Sequence, residues 1–190
     1  MNKSLRYISI SHKTASVTQR EEFHIPEEEK SELVTLIFDA FPDISGLLLL
    51  VTCNRTEIYF ESEIICANTF LDFIINLKAK KNSAVTKKLF DAGNSTEDTV
   101  GHLLKVTSGL ASSVLGDAEI VHQIKKAYQF SIVHKMQGSL LERAMQTVFK
   151  SHKRISNETS FRDGTTSTAY KSLKALRKFY ANASLETNKI

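Results

Sequence analysis

One cysteine of this sequence has polar neighbours that suit thiol chemistry. Cys53 closely follows the apolar run Leu47–Val51 and precedes Asn54 and Arg55. A reactive cysteine needs a lowered pKa, and a neighbouring cation such as Arg55 favours the thiolate. Arg55 could instead pair with a substrate carboxylate through its planar guanidinium. An isolated cysteine can also be a small core residue, but the polar neighbours of Cys53 favour a reactive thiol.

The other cysteine and the histidines carry weaker signals. Cys66 lies in the apolar stretch 64–67, and we predict that it is a core residue. His102 lies within an apolar helical segment, where a single histidine is typically structural. His12 ends the first predicted strand, and this position suits the rim of a site. The three remaining C-terminal histidines fall on basic helices, where we expect exposed or phosphate-facing side chains: His122, His134, His152.

The charge of the chain is unevenly distributed. Residues 1–124 carry 12 Lys and Arg against 17 Asp and Glu, whereas residues 125–190 carry 13 against 4. The strongly basic C-terminal third of the chain indicates a polyanionic partner, with nucleic acid as the first candidate. A helix face that is merely solvated would have the same composition. Four basic residues form a stripe on one predicted helix and could follow a phosphate backbone, without reading bases: Arg143, Lys150, Lys153, Arg154.

Several classes of protein are disfavoured by the sequence. The longest apolar run, Leu47–Val51, is too short to cross a bilayer, and no secretory signal is apparent. The two cysteines have neither a disulfide framework nor a metal-ligand spacing, so we predict no metal and a reducing, cytoplasmic setting. Gly109 and Gly116 do not form a Gly-rich phosphate loop, and no Walker pattern occurs, so no nucleotide-cofactor site is predicted.

Apolar periodicity and turn residues predict an α+β fold. We expect strands at Leu5–Ser11, Leu47–Thr52, Thr56–Glu61 and Val85–Asp91. Between them we expect a short helix capped by Thr14, a helix beginning after Pro26, and a helix over Ile64–Lys81. This order matches a ferredoxin-like split βαβ antiparallel sheet.

A helical cluster is predicted after Gly93. The first helix begins at Ser95 or Thr96, and the turn Leu110–Leu115 follows it. The next helix is predicted to be capped by Asp117 and to end at Gly138. Ser139 is predicted to cap the helix after it. A last helix is expected over about Thr166–Ala183.

Four segments together resemble glutamyl-tRNA reductase. The family's opening N-H-K-T-A-P-V-x-x-R-E is similar to residues 11–21, and its S-T-C-N-R-T-E-x-Y is similar to residues 51–59. A third motif, H-L-x-x-V-x-x-G-L-D-S-x-V-L-G-E-x-Q-I-x-x-Q, is similar to residues 102–123, and K-R-V-R-x-E-T to residues 153–159. The segments keep their order and approximate spacing over about residues 7–170.

The resemblance implies an activity for the thiol. In the family, the cysteine attacks the ester carbonyl of glutamyl-tRNA and forms a thioester. NADPH then reduces the thioester to glutamate-1-semialdehyde, which commits glutamate to tetrapyrrole (porphyrin) synthesis. The resemblance places the nucleophile at Cys53, with His102 close to the reacting centre. It implies a substrate pocket formed by Thr52, Arg55, Ser112, Asp117 and Gln123, with Arg55 holding the glutamate carboxylate.

The resemblance also implies a domain organisation and partners. Residues 1–160 would form the catalytic, tRNA-binding domain, and residues 161–190 would begin the long connecting (spinal) helix. The NADPH-binding and dimerisation domains of the family are expected to be absent from this chain. The implied partners are glutamyl-tRNA and the next enzyme, glutamate-1-semialdehyde aminomutase.

The sequence departs from the family pattern at several positions. Where the third motif of the family has Asp, this chain has Ala111, and where the motif has Glu, this chain has Asp117. The Pro-Gln of that motif is replaced at residues 118–119, and the Pro of the opening motif is replaced by Ser16. These changes leave Cys53 in place but alter the surroundings of the pocket. Two alternatives therefore stay open, a non-catalytic tRNA-binding or regulatory module of the same fold and a thiol esterase without reductase activity.

Overall fold

A four-stranded antiparallel sheet organises the structure, a computed structural model that describes residues 3–78, 86–161 and 172–180. The strands are β1 Ser4–Ser11, β2 Gly46–Thr52, β3 Arg55–Ser62 and β4 Asp91–Gly93. Their order in the sheet is β2-β3-β1-β4, and all neighbours are antiparallel. This is the ferredoxin-like order, so the predicted fold class is confirmed.

Helices cover both faces of the sheet. They are α1 Val17–Glu21, α2 Lys30–Ala40, α3 Ala67–Lys78, α4 Thr96–Thr107, α5 Glu119–Val133 and α6 Ser139–Glu158. A 3-10 turn, Glu27–Glu29, leads into α2, and residues 172–180 are also helical. The predicted helices over Ile64–Lys81 and Thr166–Ala183 extend partly outside the described residues.

Alternate residues of β1, β2 and β3 enter two separate hydrophobic cores. Ile8, Leu49 and Ile58 pack with α2 and α3 on one face. Tyr7, Leu48 and Tyr59 pack with α4, α5 and α6 on the other face. Because both faces of β2 are buried, its sequence is a continuous apolar run rather than an alternation of apolar and polar residues.

A strand residue caps the start of α6. Gly138 is the N-cap residue with φ 54°, and it has no side chain with which to cap the helix. The buried carboxylate of Glu61 instead accepts hydrogen bonds from the backbone N–H groups of Leu140, at 2.8 Å, and Leu141, at 3.3 Å. The predicted Ser139 cap is therefore wrong, because the Ser139 hydroxyl donates to Glu61 itself.

Two other predicted caps also differ from the structure. Ser16, not Thr14, caps α1, because Ser16 and Gln19 form a reciprocal capping box, whereas the Thr14 hydroxyl accepts from Ser11 N. The N-cap residue of α5 is Ala118, although the Asp117 carboxylate still accepts from Glu119 N at 3.0 Å.

Two element boundaries were wrongly predicted. Gly138 does not end α5, which stops at Val133, before Lys135 adopts a positive φ of 57°. The fourth strand is Asp91–Gly93 rather than Val85–Asp91. The apolar residues Leu89 and Phe90, which suggested the strand, pack against the first core from a turn instead.

Candidate active site

Cys53 lies at the tip of the β2–β3 hairpin. Thr52 pairs with Arg55 in the sheet register, so Cys53 and Asn54 form a two-residue turn, and the Cys53 side chain is exposed. Asn54 is held from both sides, because its carbonyl accepts from His12 N at 2.9 Å and its amide donates to Ser113 Oγ at 3.2 Å. The predicted position of Cys53 at a strand end is confirmed, and the thiol is not part of the core.

Arg55 ties the hairpin to the loop that follows α4. Its side chain is only 3% exposed. One terminal nitrogen donates to Glu57 Oε1 at 2.8 Å, and the other donates to the Ala111 carbonyl at 2.6 Å. Because residue 111 contributes its backbone oxygen, the replacement of the family's Asp by Ala111 leaves this contact available.

A fully buried carboxylate, Glu57, lies at the centre of a polar network beneath the hairpin. Glu57 accepts hydrogen bonds from Arg55, from Ser9 Oγ at 3.0 Å and from Tyr59 OH at 2.5 Å. His102 Nε2 lies 3.2 Å from the same carboxylate. Burial raises the pKa of Glu57, but the His102 hydrogen bond and the Arg55 charge outweigh burial and lower the pKa to about 2. Glu57 is therefore ionised at neutral pH.

His102 is fixed in this network by a stacked ring and two carboxylates. Its ring lies 4.1 Å from the Tyr7 ring with an interplanar angle of 15°, and Nδ1 lies 3.9 Å from Asp91 Oδ2. Tyr7 OH donates to Asp91 at 3.0 Å. Because ionised Glu57 can only accept, Nε2 of His102 carries the proton. His102 thus connects to the hairpin through Glu57 and Arg55.

The loop that carries Ser112 and Asp117 closes on itself. Gly109 and Gly116 have positive φ angles of 80° and 78°, and Gly116 N donates to the Gly109 carbonyl at 3.2 Å. A Cβ on Gly109 would lie 2.9 Å from Asp117 N, so this position requires glycine. The closure brings residues 111 and 113 against the hairpin.

The predicted pocket residues are only partly assembled. Ser112 lies between the two loop residues that contact Arg55 and Asn54. Asp117 and Gln123, at the start and in the second turn of α5, make no hydrogen bond to the hairpin within the described part of the chain. Sequence reasoning missed Tyr7, Ser9 and Asp91, because only strand register and packing bring them to His102 and Glu57.

A cleft opens beside Cys53 on the side of α1. Its volume is about 380 Å³, and it is lined by Val17, Arg20, Glu21, His24 and the hairpin residues Thr52 to Thr56 other than Asn54. His12 lies close by; burial lowers its pKa first, and the charges of Arg55, Lys13 and Arg20 lower it further. His12 does not line the cleft itself, so its placement at the rim of a site stays a prediction.

The predicted basic stripe is exposed on α6. All four side chains face solvent, whereas Leu141, Met145 and Val148 of the same helix are buried. Arg154 pairs with Glu158 at 3.1 Å. The helix therefore presents its basic residues opposite the face that packs on the sheet.

The prediction that Cys66 is a core residue is wrong. Cys66 is exposed and precedes α3, where its Sγ accepts from Thr69 N at 3.5 Å. The helix starts later than predicted because Asp43 and Ser62 bind the backbone N–H groups of Ile64 and Ile65. Hydrogen bonds from the Thr69 side chain and backbone lower the pKa of the Cys66 thiol.

Four glycines are used in loop closure or in close packing. Gly109 and Gly116 are used in closing their own loop, and Gly46 and Gly138 face each other beside Glu61, so none of them lies in a strand-to-helix turn that could cradle a pyrophosphate. Among the residues with defined positions, no group of three His, Cys, Asp or Glu side chains could hold a metal ion. No helix within residues 3–78, 86–161 or 172–180 is long and apolar enough to span a membrane.

The fold and the site define an α+β domain with an exposed hairpin cysteine above a buried ionic network. The family described as "Glutamyl-tRNAGlu reductase, N-terminal domain" matches residues 8–159. The chain therefore belongs to this family.

Full-length relatives and a solved structure show the same likeness. The chain is 40% identical over 173 residues to the glutamyl-tRNA reductase of Cytophaga hutchinsonii, with 90% of this chain and 40% of the relative covered. The enzyme of Idiomarina loihiensis is 30% identical over 92% of this chain and 40% of its own length. The structure of glutamyl-tRNA reductase from Methanopyrus kandleri aligns with a TM-score of 0.66 and 27% identity, covering 82% of this chain and 35% of that protein. The chain thus spans about two-fifths of the length of these relatives.

Proposed function

We propose that this chain forms the thioester intermediate of glutamyl-tRNA reduction, with Cys53 as the nucleophile. The observation that carries the proposal is the exposed thiol of Cys53 at the tip of a rigidly held hairpin, beside an open cleft. The hairpin is anchored by the neighbours of Cys53 in the motif that the chain shares with the family, residues 52–59. A nucleophile needs both access and fixed geometry, and this position offers both.

The proposed step balances without an external oxidant or reductant. The Cys53 thiolate attacks the carbonyl carbon of the ester that joins glutamate to the terminal ribose of the tRNA. A carbon–sulfur bond forms, the carbon–oxygen bond to the ribose breaks, and the ribose oxygen takes up the proton that the thiol has lost. Because one proton is released and one is consumed, the step is neutral in acid and base.

Arg55 is proposed to bind the glutamate carboxylate, together with Thr52, Ser112, Asp117 and Gln123. A guanidinium has five N–H donors. The contacts with Glu57 and Ala111 use two of them, so other N–H groups of Arg55 remain as donors for the carboxylate of glutamate. Arg55 also lines the cleft beside Cys53, which supports this role.

His102 is proposed to act near the reacting centre by positioning other groups. Its hydrogen bond to Glu57 orients the carboxylate that holds Arg55, so His102 affects the pocket through two intermediate contacts. The stacked Tyr7 ring and the nearby Asp91 carboxylate in turn keep the imidazole in place.

The complete reaction of the relatives goes beyond the thioester step. Proteins named glutamyl-tRNA reductase would use NADPH to reduce the thioester to glutamate-1-semialdehyde, the first step of tetrapyrrole synthesis, in the cytoplasm. We assign only the thioester step to the described residues of this chain. The tRNA would also contact the basic stripe of α6, and glutamate-1-semialdehyde aminomutase would use the product.

A single-turnover transfer assay tests this function. The chain is mixed with tRNA charged with radiolabelled glutamate, the RNA is digested, and the label that stays on the protein is counted. We expect protein-bound label that neutral hydroxylamine releases, as a thioester requires, and none in Cys53→Ser. Label appearing only as free glutamate would indicate an esterase instead. Failure of the parent chain to deacylate the tRNA would indicate a non-catalytic module.

A further inference from the structure

The cleft beside Cys53 contains two guanidinium groups in different electrostatic states. Arg55 is buried, and Glu57 compensates its charge at 2.8 Å. Arg20 is partly exposed and donates one terminal nitrogen to the Ala15 carbonyl at 2.7 Å. Within the described ranges no carboxylate forms an ion pair with Arg20, and its buried Nε has no acceptor. Arg20 thus carries a charge that no described carboxylate compensates, in contrast to Arg55, whose charge is partly compensated by Glu57.

The rest of the cleft wall suits a nucleoside. Val17 is 59% exposed, and His24 of the same wall is also exposed, so an apolar side chain and an imidazole ring face the opening. Unstacked bases at the ends of RNA chains stack on aromatic and imidazole rings. Glu21 adds a carboxylate that can accept from a ribose hydroxyl. A volume of about 380 Å³ is within the range of small-ligand pockets.

An ester carbonyl held at Cys53 has two substituents to place. The amino-acid side is directed to Arg55 in the function proposed above. The ribose on the other side of the ester must then extend from Cys53 towards a different surface. The α1 side of the cleft borders the same thiol and provides such a surface.

We propose that the cleft between α1 and the β2–β3 hairpin binds the 3′-terminal nucleotide of the tRNA, with Arg20 binding a phosphate and Val17 and His24 supporting the base. This assignment rests on glutamyl-tRNA being the substrate. The second terminal nitrogen of Arg20 can donate a charge-assisted hydrogen bond to a phosphate oxygen, which attracts the nucleotide and also fixes the position of its ribose. Arg20 thus positions the ester at the nucleophile from the leaving-group side.

The binding test does not depend on thioester formation. The trinucleotide CCA, without an amino acid, is titrated against the rate at which iodoacetamide alkylates Cys53. We expect CCA to protect Cys53, and Arg20→Gln to weaken this protection on the order of tenfold, as expected for a lost charged hydrogen bond. His24→Ala should weaken it as well, without touching the Arg20 contact with Ala15.

Arg6 provides a matched control. Like Arg20, it donates one terminal nitrogen to a backbone carbonyl, that of Ser62 at 2.6 Å, and its buried Nε has no acceptor. It lies at the opposite end of β1 from the hairpin. Arg6→Gln should therefore leave protection by CCA unchanged. The proposal is overturned if CCA does not protect Cys53, or if Arg6→Gln weakens protection as much as Arg20→Gln.

Comparison of two acyl donors separates this proposal from the function on which it rests. Arg20→Gln should slow labelling of Cys53 by glutamyl-tRNA about tenfold but leave labelling by glutamate ethyl ester unchanged, because that ester has no nucleotide. Equal slowing with both donors would place Arg20 on the glutamate side and overturn the proposal. If neither donor labels Cys53 while CCA still protects it, the thioester function fails and the nucleotide subsite stands.

Discussion

At the residue scale, the site depends on the charge of Glu57, whose burial and partners the sequence motif does not reveal. Glu57 is fully buried and accepts from four side chains, yet it remains ionised because Arg55 and His102 face it. Removing one partner of a buried ion pair is costly, since the other charge stays buried without compensation. The stability of the hairpin that presents Cys53 therefore depends on the ion pair between Arg55 and Glu57.

Glu57→Gln should lower the free energy of unfolding at pH 7 by about 3 kcal/mol, because the amide leaves the Arg55 charge uncompensated. Urea denaturation measures this change. Glu158→Gln is the control, because it removes an exposed partner of Arg154 and should have no measurable effect. Equal stability of Glu57→Gln and the parent would show that the buried pair is not important for the fold.

The same carboxylate predicts how stability depends on acid. The pKa of Glu57 is lowered from an ordinary 4.5 to about 2 in the folded protein. Ionised Glu57 therefore stabilises the fold fully above about pH 4.5, and this contribution is lost as the pH falls towards 2. Between these pH values the parent should lose stability more steeply than Glu57→Gln, and parallel curves would contradict the assignment.

At the element scale, long-range contacts determine where helices begin. Glu61 of β3 caps α6 from 79 residues away in sequence, and Gly138 must adopt a positive φ so that the chain can pass this carboxylate. A Cβ on Gly138 would lie 2.8 Å from Gly46 Cα and closer still to Glu61 Oε2. The start of α6 thus depends on the packing of two glycines against a strand.

Gly138→Ala should destabilise the protein by more than about 1 kcal/mol, since it combines left-handed backbone strain with a clash. Gly101→Ala is the matched substitution, because Gly101 lies in α4 and a Cβ there would meet nothing within 4 Å. That change should stabilise the protein by roughly 0.5–1 kcal/mol, as alanine favours helix. Urea midpoints that move in the same direction for both variants would contradict this account.

The sequence predicted the first three strands and the cysteine between β2 and β3 because their signals are local. β1, β2 and β3 have apolar patterns within eight residues, and Cys53 is surrounded by its motif. The cap of α6, the position of Cys66 and the contacts of His102 could not be predicted, because each depends on residues far away in sequence. β4 was misplaced because its three residues are too few to show a pattern, whereas the preceding apolar residues pack from a turn.

At the scale of the whole molecule, the two faces of the sheet differ in charge and in role. The α4–α6 layer carries the exposed basic stripe and the loop that contacts the hairpin, whereas α2 and α3 close the opposite core. The proposed tRNA contacts on α6 and in the α1 cleft would act on one substrate at separate points. Phosphate contacts of this kind supply affinity and position rather than sequence specificity.

Reversing Lys150 and Arg154 to Glu should weaken tRNA binding and flatten its salt dependence, because each lost phosphate contact lowers the slope by about one counterion. Filter binding over a range of salt concentrations measures both effects. Lys87 and Lys88, which precede β4 beside the other core, provide a double reversal of equal charge. If both double reversals change the slope equally, the stripe is only a solvated helix face.

The central claim is that Cys53, and not Cys66, which is also exposed, becomes acylated. Peptide mass mapping after brief incubation with glutamyl-tRNA tests this most directly, because both thiols are accessible in one chain and Cys66 is an internal control. We predict the mass of one glutamyl group on the peptide that contains Cys53, with unmodified Cys66, and the same result in Cys66→Ser. A glutamyl group on Cys66, or on neither cysteine while the tRNA loses its glutamate, would contradict the account.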